Sequence, residues 1–131
     1  MTERVGFEVE AVVSAPPEKV FDTWLSSNGH AAMTGAPAEA DAIVGGEFKA
    51  WGGYITGTNL EVQRPSRIVQ AWRTSDFDDG EPDSRVCIEL SSHGEGTRIL
   101  ITHQDLPPHG TQYEQGWQDH YFSPMKAHFE G

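Results

Sequence analysis

The sequence predicts an α+β chain in which a curved antiparallel β-sheet of about six strands wraps around one long C-terminal helix. Three observations predict it. Apolar and polar residues alternate along several short segments, which is the period of a half-buried strand. Most of those segments follow one another through short turns, which a parallel α/β fold does not permit. The last stretch changes to i, i+3, i+4 spacing, the mark of an amphipathic helix.

Taken in order, Val5, Phe7, Val9, Ala11 and Val13 share one side of the first strand, with Glu8 and Glu10 on the other. Pro16-Pro17-Glu18 opens a helix, because proline fits the first turn and glutamate suits its positive end. Val20, Phe21, Trp24 and Leu25 form the apolar face, Asn28-Gly29 ends it, and His30 to Met33 add a short helical turn. A strand from Val44 to Trp51 runs into Gly52-Gly53, a pair suited to the positive φ angles of a tight hairpin. Tyr54 to Val62 follows, with Leu60 and Val62 on one face, and Arg64-Pro65-Ser66 turns the chain into Ile68 to Arg73. Beyond a polar loop, Ser75 to Asp83, come Val86, Ile88 and Leu90; His93 to Gly96 then turns into Ile99, Ile101 and His103. Thr111 to Glu114 has the pattern of a capping box. Tyr113, Gly116, Trp117, His120 and Tyr121 then fall on one helical face, and Pro124 predicts a kink.

The length, 131 residues, and a composition 37% hydrophobic and 10% aromatic fit one globular domain spanning residues 1–131. The net charge of −11 repels phosphate backbones and anionic lipid, so nucleic acid and membrane surfaces are poor partners. Cys87 is the lone cysteine, which rules out an internal disulfide and a multi-cysteine zinc site. Flanked by Val86 and Ile88, it should face away from the apolar side of its strand. The opening Met1 to Gly6 lacks the basic and apolar runs of a secretory leader, and a cytoplasmic location is expected.

Nucleotide-binding loops, nucleophile elbows and zinc-protease helices have no match in the sequence, so no cofactor or metal is expected. The acidic loop from Asp76 to Asp83 departs from a calcium loop: its glycine comes one position early, and position twelve is Cys87. It reads as a solvated hairpin loop. His103 shares parity with Ile99 and Ile101 and should face the concave side, as a polar group of a pocket or as a general acid or base. Gln70 shares a strand face with Ile68 and Trp72. Trp24, Trp72, Trp117 and Tyr121 come from separate elements whose apolar faces converge, either as plain core or as the wall of a cavity.

Gly45-Gly46-Glu47-Phe48, Gly53-Tyr54-Ile55-Thr56-Gly57, Arg67 to Arg73, Gly96 to His103 and Gly116 to Phe122 follow one another in an order that resembles the C-terminal domain of the activator of heat-shock protein 90 ATPase. The resemblance covers about Ala15 to Phe129. It implies the helix-grip fold of the wider lipid-transfer, birch-pollen-allergen and polyketide-cyclase superfamily, with a cavity between sheet and helix. The separate N-terminal domain of the full activator has no counterpart here.

Together these readings predict a non-enzymatic binding domain with no catalytic residue. Its expected partners are a hydrophobic small molecule and a heat-shock protein 90-type chaperone. The ligand would be held by Trp24, Gln70, Trp72, Ile101, His103, Trp117 and Tyr121. The alternative is a polyketide cyclase or aromatase-like enzyme, using His103 and pocket tyrosines on a hydrophobic substrate in the same cavity. Phe122, Met125 and Phe129 form a second apolar stripe, rotated from the first by about a quarter to a third of a turn. Either the kink at Pro124 swings it inward, or it is an exposed patch that makes a homodimer.

Overall fold

The computed structural model describes residues 4–130; Met1 to Glu3, part of the segment read for a leader, and Gly131 lie outside the described residues. The sheet is six-stranded and antiparallel, in the order β1-β6-β5-β4-β3-β2. Its strands are β1 (Val5–Val13), β2 (Glu47–Ala50), β3 (Ile55–Gln63), β4 (Arg67–Thr74), β5 (Ser84–His93) and β6 (Gly96–Leu106). Two short helices, α1 (Pro17–Trp24) and α2 (Ser27–Thr34), connect the two edge strands β1 and β2. A 3-10 turn (Pro108–Thr111) leads into α3 (Gln112–Trp117), a π-helical turn (Gln118–Phe122) and α4 (Ser123–Glu130), which together form the C-terminal helix. This is the α+β architecture that the alternating strands and the final helical period predict, and the helix-grip fold that the resemblance implies.

Alternation decides the strands as expected: Val9, Ala11 and Val13 are buried while Glu8, Glu10 and Val12 are exposed. Ile88, Ile99 and Ile101, on neighbouring strands, are wholly buried. Cys87 is half-buried between the buried Val86 and Ile88. Leu60 breaks its predicted pairing with Val62. The register between β3 and β4 slips between Asn59 and Glu61, so Leu60 is an unpaired bulge residue. The slip leaves Leu60 exposed while Val62 packs against the core.

Three other boundaries differ from the sequence reading. Asn28-Gly29 does not end a helix; both residues lie inside α2, whose N-cap is Ser26, with Oγ accepting from Gly29 N–H at 3.2 Å. A Cβ on Gly29 would sit 2.8 Å from the Thr23 carbonyl oxygen, so the bare backbone is what lets α2 cross closely over the end of α1. Val44 is not in a strand: Ile43 and Val44 are strongly exposed and β2 starts only at Glu47. The Thr111 cap does not form either, because Thr111 has helical φ and ψ and passes the chain straight from the 3-10 turn into α3.

The two stripes of the C-terminal helix end up on one side. Tyr113, Trp117 and Tyr121 are buried, and so are Phe122, Met125 and Phe129. A π-helical turn amounts to one extra residue, which rotates everything downstream by about 100° relative to a continuous α-helix. That rotation matches the offset between the stripes. Pro124, which has no N–H to donate, lies two residues past the loosened turn. The stripe proposed to join two copies is therefore part of the chain's own core.

Candidate functional site

The C-terminal helix does not close completely on the sheet. Between them lies a cleft of about 310 Å³. Its helix wall consists of Tyr113, Gly116, Trp117, His120 and Tyr121, spaced i, i+3, i+4, i+7, i+8, so one face of the helix supplies the whole wall. Facing it are Ile55 and Trp72 from β3 and β4, with Trp51 and Tyr54 from the β2–β3 connection. No Asp, Glu, Lys or Arg stands in this wall.

Of the residues expected to hold a ligand, Trp72, Trp117 and Tyr121 line the cleft. The other four stand outside the wall, for distinct packing reasons. Trp24 lies behind it, stacked on Tyr121 (centroids 5.2 Å, 25° between planes) and on Trp117 (6.3 Å, 22°). Ile101 is wholly buried in the sheet core. Gln70 donates from Nε2 to Asn59 Oδ1 at 3.0 Å, and Asn59 Nδ2 in turn holds the carbonyls of Asp41 (2.7 Å) and Ile43 (3.1 Å). That pair ties the segment before β2 to the sheet.

His103 faces inward, as its parity predicts, but both ring nitrogens are engaged. Trp117 Nε1–H donates to His103 Nδ1 at 3.1 Å, which makes Nδ1 an acceptor and puts the proton on Nε2. Nε2–H then donates to Ser84 Oγ at 2.8 Å, and Ser84 Oγ–H donates to the Trp72 carbonyl at 2.8 Å. Burial without a charged partner pushes the imidazole pKa down to about 3, so the ring is neutral at neutral pH. A second histidine repeats the pattern. His30 Nδ1 lies 2.9 Å from the Trp24 carbonyl, which can only accept, so Nδ1 carries the proton; Tyr121 O–H then donates to Nε2 at 2.8 Å. Burial lowers the His30 pKa and raises that of the Tyr121 phenol. Both histidines fix the rings of the wall in place.

Comparison with known proteins bears on this arrangement. The family model described as "Activator of Hsp90 ATPase homolog 1-like protein" matches residues 14–130. The chain belongs to this family. It is 27% identical over 114 residues to the human protein "Activator of 90 kDa heat shock protein ATPase homolog 1", covering 86% of this chain and 33% of that protein. The chain thus spans about a third of the length of that curated relative. A solved structure from Chromobacterium violaceum is 27% identical with a TM-score of 0.76, covering 96% of this chain and 97% of that one. The solution structure of the Aha1 dimer from Colwellia psychrerythraea shares the fold at a TM-score of 0.80, with 14% identity over 96% of each chain.

In this member of the activator of Hsp90 ATPase family the rim of the cleft holds what the sequence reading missed. Tyr54 O–H donates to Asp76 Oδ2 at 2.6 Å, and burial, followed by that carboxylate, raises the phenol's pKa. Tyr113 and Thr74 share a hydrogen bond of 2.5 Å. Trp51 has a left-handed φ of 54°, packs edge-on against His120 at 5.3 Å, and buries its indole N–H without an acceptor. Among the described residues no other buried side-chain nitrogen or oxygen lacks a partner. The available signal was an aromatic residue immediately before Gly52-Gly53. In the acidic loop, Asp78, Glu81 and His109 bring their ligand atoms within 4.8 Å of one another. These groups already serve the loop: Glu81 Oε1 accepts from Asp78 N–H at 2.8 Å and lies 2.8 Å from His109 Nε2.

Proposed function

We propose that the chain is a non-enzymatic binding domain that takes an apolar small molecule into the cleft between sheet and C-terminal helix. One observation carries this reading: the cleft of about 310 Å³ is walled mainly by aromatic side chains, with no Asp, Glu, Lys or Arg among them. Ligand pockets are mostly apolar with few polar points, and this volume is at the small end of their range of about 300–1,000 Å³. Trp72, Trp117 and Tyr121 are its proposed contacts. The cyclase-like alternative loses support because His103, its proposed acid or base, is neutral, wholly buried and hydrogen-bonded at both nitrogens.

Purified under native conditions from its own host, the chain should carry a non-peptide adduct in native mass spectrometry. The uncharged probe N-phenyl-1-naphthylamine should gain fluorescence on binding and be displaced by that adduct. A chain without adduct that also leaves the probe dark refutes the binding role.

Family membership supports a second reading, association with an Hsp90-type chaperone. The human relative's name carries that activity, and the chain corresponds to a third of that protein. Calorimetric titration of the host's Hsp90-type chaperone with the whole chain should give a saturable heat; a flat titration removes this partner. A reducing compartment such as the cytoplasm suits Cys87, a free thiol whose pKa is raised by burial.

A further inference from the structure

The cleft wall also narrows what kind of apolar molecule would enter, granted the binding role proposed above. Gly116 lies in the middle of the helical stripe, between Tyr113 and Trp117, with Trp117 closing α3. Glycine in a helix interior is unfavourable relative to alanine, because it has more backbone freedom to lose. Where a helical glycine is kept for packing, a Cβ in its place would strike a neighbour, as it would at Gly29. At Gly116 an added Cβ meets nothing within 4 Å. No positive φ or close neighbour requires this glycine, and it lines the cleft. What its missing side chain provides is open space against the bare helix backbone.

The composition of the remaining wall identifies the shape that suits that space. Only one aliphatic side chain, Ile55, stands in it; the others are Trp51, Tyr54, Trp72, Tyr113, Trp117, His120 and Tyr121, all ring-bearing. A flexible alkyl chain is served equally well by aliphatic walls, whereas ring edges and faces give an aromatic guest specific offset or edge-to-face contacts. Several wall rings are already fixed by hydrogen bonds: Trp117 to His103, Tyr121 to His30, Tyr113 to Thr74. They form a preset slot rather than a collapsible core. The absence of Asp, Glu, Lys and Arg from the wall, together with the net charge of −11, disfavours an anionic guest.

We propose that the ligand is an uncharged, planar aromatic molecule, and that Gly116 is the specificity-determining position, the ligand edge lying against the helix where a side chain would otherwise stand. The test titrates the whole chain with 2-naphthol and, separately, with decan-1-ol, following tryptophan emission and confirming by calorimetry. The wild type should bind 2-naphthol at least tenfold more tightly than decan-1-ol. Gly116→Leu should weaken 2-naphthol at least tenfold. Gly116→Ala should weaken it a few-fold while raising the thermal unfolding midpoint, since nothing opposes the added methyl. If the wild type takes the alkanol as well as the naphthol, or Gly116→Leu binds unchanged, the inference falls and the general binding role stands. Destabilisation by Gly116→Ala would also overturn it, by making the glycine a packing requirement. A wild type that binds neither probe, nor N-phenyl-1-naphthylamine, overturns both readings.

Discussion

Two buried histidines govern how the helix is fastened to the rest of the molecule. Each has one nitrogen donating and one accepting, so each is held in a single neutral tautomer. For His103 the folded pKa is about 3 against an ordinary value of 6.5. Between those values the unfolded chain binds a proton that the folded chain refuses. Stability must therefore fall as pH falls from about 6.5 toward 3, by up to about 1.4 kcal/mol per pH unit for this one group. His30 contributes in the same direction, its pKa also being lowered by burial. His103→Leu should lose about 1–3 kcal/mol at neutral pH, because the Trp117 N–H is left buried without an acceptor. In the same variant the acid slope should become shallower. Urea unfolding of both proteins at several pH values measures the two effects, and parallel slopes would contradict the titration argument.

The C-terminal helix is the element whose register matters most. Its π-helical turn brings two stripes, offset by about 100° in a continuous helix, onto one core. Deleting the exposed Asp119 within that turn should restore a plain α-helix and leave both stripes buried. We expect that deletion to cost less than about 2 kcal/mol. Inserting one alanine after Asp119 instead shifts Phe122, Met125 and Phe129 a further 100° or so. That exposes side chains worth about 1.5–3 kcal/mol each when buried. Circular dichroism melts of the two variants separate the outcomes: equal damage from deletion and insertion would mean that the turn is not a register device. The same burial accounts for why this helix offers no apolar stripe to a second copy.

At the scale of the whole molecule, the charge is lopsided. Nine basic residues face twenty acidic ones, and the ion pairs that form are at the surface, such as Arg64–Asp22 and Arg67–Glu61. Exposed pairs of this kind contribute little, because water and salt screen them, whereas unbalanced negative charge repels itself throughout the compact fold. Salt shortens the range of both, to about 10 Å at 0.1 M. Because repulsion dominates, the thermal midpoint should rise between about 10 mM and 300 mM sodium chloride. Scanning calorimetry measures it, and a falling midpoint would show that the ion pairs prevail. Glu8 and Glu10 on the outward side of edge strand β1 help keep that edge from pairing with another sheet.

The sequence by itself determined the class of fold, the six strands and the inward direction of His103, because period and parity are local properties of the chain. It also brought out Trp72, Trp117 and Tyr121 by the convergence of apolar faces. Tertiary structure alone decided which inward residues became core and which became cleft wall. Trp24, Ile101 and His103 share their neighbours' orientation, yet they lie outside the wall: the rings of Trp117 and Tyr121 stack on Trp24, Trp117 is hydrogen-bonded to His103, and Ile101 is wholly buried in the sheet core. Trp51 gained its place from a turn with left-handed backbone, and Phe122 from a one-residue slip in a helix. The bulge at Leu60 and the slip before Pro124 each reverse or rotate a face without changing the pattern of residue types. Periodicity assumes an unbroken ladder or helix, and only packing against distant elements determines where that ladder breaks.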